Sequence, residues 1–172
     1  MHETAEDLAA LQDLLDRSYA NAGAHLQRIH THERRLTAEQ VAERLQGMVL
    51  LTLSTVTADG RPIAGPVDGI FYRGAFHFGS SPDSVRFRHI AARPTVSATH
   101  LPGEHLAVNV QGRAVMVDHK DPANAGFRKT ILDVYTPRYG PEWEHDFLDT
   151  GPVYARIDAD KMFTFHMDAD DT

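Results

Sequence analysis

Residues 48–79 read MVLLTLSTVTADGRPIAGPVDGIFYRGAFHFG. Residues 48–56 are short, apolar and β-branched, the composition of a strand packed on a core. Asp59-Gly60 then supplies the strongest short hairpin signal, because glycine enters positive φ without a Cβ clash. Residues 63–72 read as the returning strand. Arg73-Gly74 makes a second tight turn, and residues 75–79 form a third strand. The stretch therefore predicts a three-stranded antiparallel meander.

Downstream, Ser81-Pro82-Asp83 opens a helix, with a hydroxyl cap, proline at the first position and an acid in the first turn. Pro94 restricts the residue before it and ends that helix near Arg93. Residues 95–100 and 106–118 read as strands around a Pro-Gly turn, with Gly112 marking a bulge or a close backbone approach. A helix is expected over 123–135, and a loop rich in Pro, Gly and aromatics over 136–152, with one helical turn at 142–147. Two final strands, 153–157 and 162–166, flank Asp158-Ala159-Asp160. Upstream, apolar residues from Leu8 to Ile29 recur at spacings of three and four, which predicts one amphipathic helix over 4–30, weakened at Gly23. Thr37 and Gln40 form a capping box for a short helix reaching about Gln46 and stopped by Gly47.

The fold class that follows is mainly β: a small six-stranded antiparallel barrel with peripheral helices and an N-terminal helix. The domain reading is a helical extension over 1–36, the barrel over 37–167 and a disordered acidic tail over 168–172. Strands and helices do not alternate, and no GxGxxG follows a strand, so a dinucleotide-binding Rossmann unit is not expected. The 172 residues suit one core. There is no cysteine, which removes disulfides and thiolate chemistry. A net charge of −7 argues against a nucleic-acid or membrane-surface role. No apolar run approaches the length of a membrane span, and the acidic N-terminus lacks the order of a signal peptide. A cytoplasmic location is expected.

The richest chemistry lies in FHFGSSPDSVRFRH, residues 76–89. A strand ends in hydroxyls and passes to a helix start with two arginines in its first turns. Free helix-end amides, serine hydroxyls and a guanidinium all favour a phosphate dianion. Asp83 is expected to face solvent, since it would repel an anion. The same pattern also describes a capped surface helix with solvated arginines. Among the histidines, His30-Thr31-His32 has metal-ligand spacing but no nearby carboxylate pair, so a surface role is favoured and no metal site is expected. His77 sits on the third strand, where packing is the simpler reading. Tyr135, Tyr139, Trp143 and Phe147 form an aromatic group that suits either a satellite cluster or a cap over a ligand.

These motifs together resemble the pyridoxamine 5′-phosphate oxidase-like family of FMN-binding split β-barrels, within the flavin/deazaflavin oxidoreductase superfamily. The likeness is carried by VLLTLSTVTADGRPIAGPV, FHFGSS, SVRFRHI, RPTVSAT, VNVQGRAVMV and ARIDADKMFTF, and spans about residues 40–166. The family's phosphate-binding run reads Ser80, Ser84, Arg86 here, with Arg86 where many relatives carry Lys. The resemblance implies a flavin phosphate at Ser80, Ser84 and Arg86, assisted by Arg88 or His89. It implies a ring lying against the backbone of Ala64 to Asp68, with Gly65, Pro66, Val67 and Asp68 as its binding residues and Gln111 on a bordering strand. It also implies a homodimer with the cofactor at the subunit interface.

The function implied is an FMN-dependent oxidoreductase acting on an unidentified small molecule. The alternatives are an F420-dependent reductase, a non-catalytic binder of flavin, F420 or haem, and a relative that has lost its cofactor. F420 carries a long acidic tail, for which Arg34, Arg35, Arg61 and Lys129 are candidate linings. Pyridoxamine phosphate oxidation itself is disfavoured, because in the family it goes with a basic C-terminal segment and this chain ends in aspartates.

Overall fold

The computed structural model describes residues 1–167; the expected disorder of 168–172 lies outside the described residues. The meander forms as its turns dictate: β1 (Met48–Val56), β2 (Pro62–Tyr72) and β3 (Ala75–Ser80). Gly60 takes φ 85°, and both Arg73 and Gly74 take positive φ, the conformation of a two-residue hairpin turn. β4 (Thr95–Gly103), β5 (Leu106–Val117) and β6 (Val153–His166) complete a closed antiparallel barrel in the order β1-β2-β3-β6-β5-β4. Alternate residues point inward, so Val49, Leu51, Leu53, Phe76, Phe78, Val108, Val110 and Met162 share one core.

Several elements differ from expectation for local reasons. The N-terminal helix is two, α1 (Ala5–Ala20) and α2 (Ala24–Ile29). Asn21 folds its side-chain amide and its own N–H back onto the Arg17 carbonyl and caps the first one. The last two strands are one 14-residue strand. Asp158-Ala159-Asp160 is a bulge in it, with Gln111 opposite Lys161 and Gly112 opposite Ala159. Gly112 is required there, because a Cβ would lie 2.1 Å from the Asp158 carbonyl oxygen. The helix after β3, α4 (Val85–Ala92), is capped by Ser84 rather than Ser81. Residues 81–84 instead close a turn in which the Ser84 N–H donates to the Ser81 carbonyl. The capping box of Thr37 and Gln40 does open α3 (Ala38–Arg44).

α5 (Ala125–Tyr139) runs through Pro137 to Gly140, one turn beyond the expected end. Stacking of Tyr135 and Tyr139 on Trp143, in the single-turn α6 (Trp143–Asp146), holds that last turn. α5 packs Phe127, Ile131 and Tyr135 on the outer face of the barrel against Ile70 and Tyr154. No helix among the described residues is long and apolar enough to cross a membrane.

One length mismatch shapes the molecule. β3 has 6 residues, between an 11-residue β2 and a 14-residue β6. It pairs with β2 only at residues 69–72 and with β6 only at 153–156. Each long neighbour is thus left with an edge that β3 does not cover. The β6 edge is sealed by α1: Ser18 Oγ accepts from the Met162 N–H at 2.9 Å, and the Tyr19 hydroxyl both accepts from the Thr164 N–H and donates to the Thr164 carbonyl. The β2 edge over residues 62–68 has no such backbone seal among the described residues; one side chain, Arg86, reaches it at the Pro66 carbonyl. That edge is the split in the barrel.

Candidate functional site

The open β2 edge faces the start of α4, and the link between them is Arg86. Its Nη2 donates to the Pro66 carbonyl at 2.8 Å. Below it lies a pocket of about 240 Å³ bounded by Leu53, Thr55, Gly65, Ser80, Ser84 and Arg86. Arg86 is the one charged residue lining it. The guanidinium is half-buried, and burial pushes its pKa down from the usual value. No carboxylate among the described residues forms an ion pair with it. A partly desolvated cation without a counter-charge is costly, so the pocket favours an anion.

The surroundings suit the same ligand. The Ser84 hydroxyl oxygen caps the helix by accepting from the Phe87 N–H at 3.4 Å, a loose contact. The first-turn amides of Val85 and Arg86 have no acceptor within the helix. Ser80 ends β3 at the pocket wall. Gly65 lies on the face of β2 that points toward α4, where a Cβ would come within 3.8 Å of Arg86 Nη2. Asp83 is exposed and is held by the Ser81 hydroxyl, which keeps its pKa low, and it is not among the residues that line the pocket.

A second groove, of about 360 Å³, lies on the outer face of β2 and β3 and shares Ser80 with the first. Its floor is Gly79 and Tyr154, which face each other in register. A Cβ on Gly79 would meet the Tyr154 ring at 2.7 Å. Its wall is the aromatic group, with ring centroids 5.1 Å apart for Tyr135 and Trp143 and 5.4 Å for Trp143 and Phe147. Asp68 lines its inner end.

The structure therefore brings Gly65, Ser80, Ser84 and Arg86 into one pocket. Pro66 touches it only through its carbonyl, because its ring faces outward. Val67 points inward and is buried in the core. Asp68 faces the aromatic groove, since side chains alternate along a strand. Arg88 is exposed, outside the residues that line either cavity, and the His89 ring bonds the Thr55 hydroxyl at 2.9 Å. Gln111 is exposed on β5 between Ser97 and Lys161 and lines neither cavity.

Arg34, Arg35, Arg61 and Lys129 are occupied elsewhere. The first two lie over the rings of Phe165 and Tyr19, Arg61 pairs with Asp59 and Lys129 with Asp133. His30 bonds the Thr164 carbonyl. His77 is packed between Tyr72 and Phe127. Tyr154 and Gly79 join the groove without a local signal in the sequence. Their juxtaposition comes from β3–β6 pairing across more than 70 positions of chain, for which a single sequence carries no local signal.

The barrel superposes on many solved structures, three of which illustrate the range. A conserved hypothetical protein, Rv2991, from Mycobacterium tuberculosis aligns with a TM-score of 0.65 at 18% identity, covering 79% of this chain and 88% of that one. The haem storage protein HutZ from Vibrio cholerae aligns at 0.57 and 20%, covering 77% and 94%. An FAD-binding protein from Mesorhizobium loti aligns at 0.55 and 20%, covering 78% and 98%. At these identities the likeness shows the fold alone. No curated protein is significantly similar in sequence. The family model described as pyridoxamine 5′-phosphate oxidase, however, matches residues 37–148, well over half of the sequence. The chain belongs to the pyridoxamine 5′-phosphate oxidase family.

Proposed function

We propose that this protein is an FMN-dependent oxidoreductase acting on a small molecule, working in the cytoplasm as a homodimer. The observation that carries the reading is Arg86: a half-buried guanidinium without a counter-charge, at a pocket whose other polar groups are hydroxyls and helix-start amides. The residues present fit a phosphomonoester. Arg86 would neutralise it, Ser80 and Ser84 would donate to it, and the free amides of Val85 and Arg86 would complete the cradle. A pocket of about 240 Å³ holds the phosphate end and not a tricyclic ring. The ring's place in this reading is the uncovered β2 edge over residues 64–68, where the backbone is not engaged by β3.

When bound, the flavin supplies the redox centre, and the protein contributes orientation and electrostatics. Gly65 keeps the approach beside Arg86 clear. The Arg86–Pro66 bond fixes the guanidinium at the mouth of the pocket. The dimer reading is supported by the outer face of β1 and β4, where Leu50 and Leu101 are 60% and 63% exposed.

The test is a titration of the purified protein with FMN and with riboflavin, which lacks the phosphate. FMN is expected to bind the more tightly, and Arg86→Ala should reduce that preference by roughly 10- to 150-fold, the worth of about 1.5–3 kcal/mol for a charged hydrogen bond. Equal affinity for the two flavins, or a preference untouched by Arg86→Ala, would remove the phosphate site. Tighter binding of F420 or of haem in parallel titrations would replace FMN with that ligand.

A further inference from the structure

The aromatic groove is built unlike a satellite core cluster. In such a cluster the rings bury one another. Here Tyr139 and Phe147 are 53% and 49% exposed, while their faces stay aligned: Tyr139 and Trp143 differ by 21° in plane, and Trp143 and Phe147 by 29°. The result is a near-parallel set of π-faces along an open wall. A flat ring added to such a wall gains offset stacking that the protein itself leaves unused.

The inner end is polar and unpartnered. Tyr135 and Tyr154 are 7% and 5% exposed and line the groove, yet neither hydroxyl bonds any described residue. Burial comes first in raising both phenol pKa values, that of Tyr154 to about 12, and the Asp68 charge comes second for each. The phenols thus stay protonated beside a carboxylate. Asp68 is itself half-buried and makes no hydrogen bond or ion pair with any described residue. The hydroxyls and the carboxylate keep access to solvent through the groove, so three polar groups without a partner among the described residues line a single cavity and are free to receive a ligand.

We propose that this groove binds a planar aromatic or heteroaromatic molecule that carries a cationic or N–H-donating nitrogen, with the ring on the Trp143 wall and the nitrogen at Asp68. The carboxylate accepts from the nitrogen, and the Tyr135 and Tyr154 hydroxyls serve ring or substituent acceptors. An anionic aromatic is rejected, since it would bring a second negative charge against Asp68 in a partly desolvated site. The volume, about 360 Å³, lies at the small end of ligand pockets, which span roughly 300–1,000 Å³. As a binding site the groove stands without the flavin; as the substrate's place it rests on the oxidoreductase reading, with Ser80 common to both cavities.

Trp143 is the one tryptophan in the chain, so intrinsic emission reports on the wall directly. The probes are 4-aminoquinoline, a planar cation at neutral pH, and quinoline-4-carboxylate, a planar anion. Calorimetry should show the amine binding roughly tenfold or more tightly than the acid, with a change in Trp143 emission on binding. Asp68→Asn should abolish the preference without lowering the thermal melt. Trp143→Leu should weaken both probes. Arg86→Ala should keep the amine preference, so loss of the FMN site and loss of this one are separable. Equal affinity for the two probes, or a preference that survives Asp68→Asn, overturns the proposal.

Discussion

Replacing His77 with Phe is expected to flatten the acid limb of the stability profile. The His77 ring lies 4.4 Å from Phe127 and 5.7 Å from Tyr72, centroid to centroid, and the residue is 5% exposed. Burial lowers its pKa from 6.5 to about 4; the Ala75 carbonyl, 3.1 Å from Nδ1, opposes that, and Arg156 reinforces it. The fold therefore holds the ring neutral, while the unfolded chain takes up a proton below 6.5. Stability from this group is complete above the unfolded value, declines as pH falls, and is fully lost below about 4. The limiting cost is on the order of 3 kcal/mol, and about 2 kcal/mol is already lost at about pH 5. His30 and His119, whose values burial also lowers, remain in both proteins and cancel in the comparison. Urea unfolding of the two proteins at about pH 7.5 and about pH 5 reads the difference. The native protein should lose about 2 kcal/mol more than His77→Phe over that interval, whatever the offset in absolute stability caused by repacking. Parallel losses would refute the claim that burial holds His77 neutral.

Two further outcomes follow from the backbone and the surface. Gly112→Ala places a Cβ against the Asp158 carbonyl and must break the β5–β6 bulge, so urea unfolding should show a loss of about 3 kcal/mol or more. Leu101→Glu puts a charge on the exposed β1–β4 face, and sedimentation should show the expected dimer converted to monomer with weakened FMN binding; an unchanged species would detach that face from assembly.

Much of the barrel was legible because its signals are local. The Asp59-Gly60 and Arg73-Gly74 turns, the alternation in β1 and β5 and the Thr37 capping box each depend on a few neighbouring residues. Sequence and structure part where a local signal has two solutions. Asp158-Ala159-Asp160 reads as a turn until the β5 partner is known, and only pairing with Gly112 shows it to be a bulge. Ser81 and Ser84 are both good caps, and the turn over 81–84 decides for the second. At the site, Ser80, Ser84 and Arg86 fall together because strand end and helix start adjoin in sequence. Asp68 falls on the other side of β2 because a strand alternates faces, so a run of four consecutive residues cannot line one pocket with its side chains. The Gly79–Tyr154 floor depends on a long-range pairing and could not be read.

That alternation bears on chemistry. Gly65 and Asp68 lie three residues apart on one strand and so on opposite faces, and the protein keeps one uncompensated charge on each side: Arg86 toward α4, Asp68 toward the aromatic wall. A fold under no functional demand would let these two pair, or turn both to solvent, since an isolated half-buried charge is destabilising. Instead Arg86 is held on the Pro66 carbonyl, at the strand edge between them, while Asp68 bonds none of the described residues. The short β3 is what makes this possible, because only where it ends is the β2 edge open to both faces at once. On the proposed reading, opposite charges kept apart across such an edge would select ligand groups of opposite sign, an anion in one cavity and a cationic or donor group in the other. Continuing the β2–β3 register as far as Gly65 would cover the stretch of edge that opens on both cavities, which separates the demands of folding from those of binding.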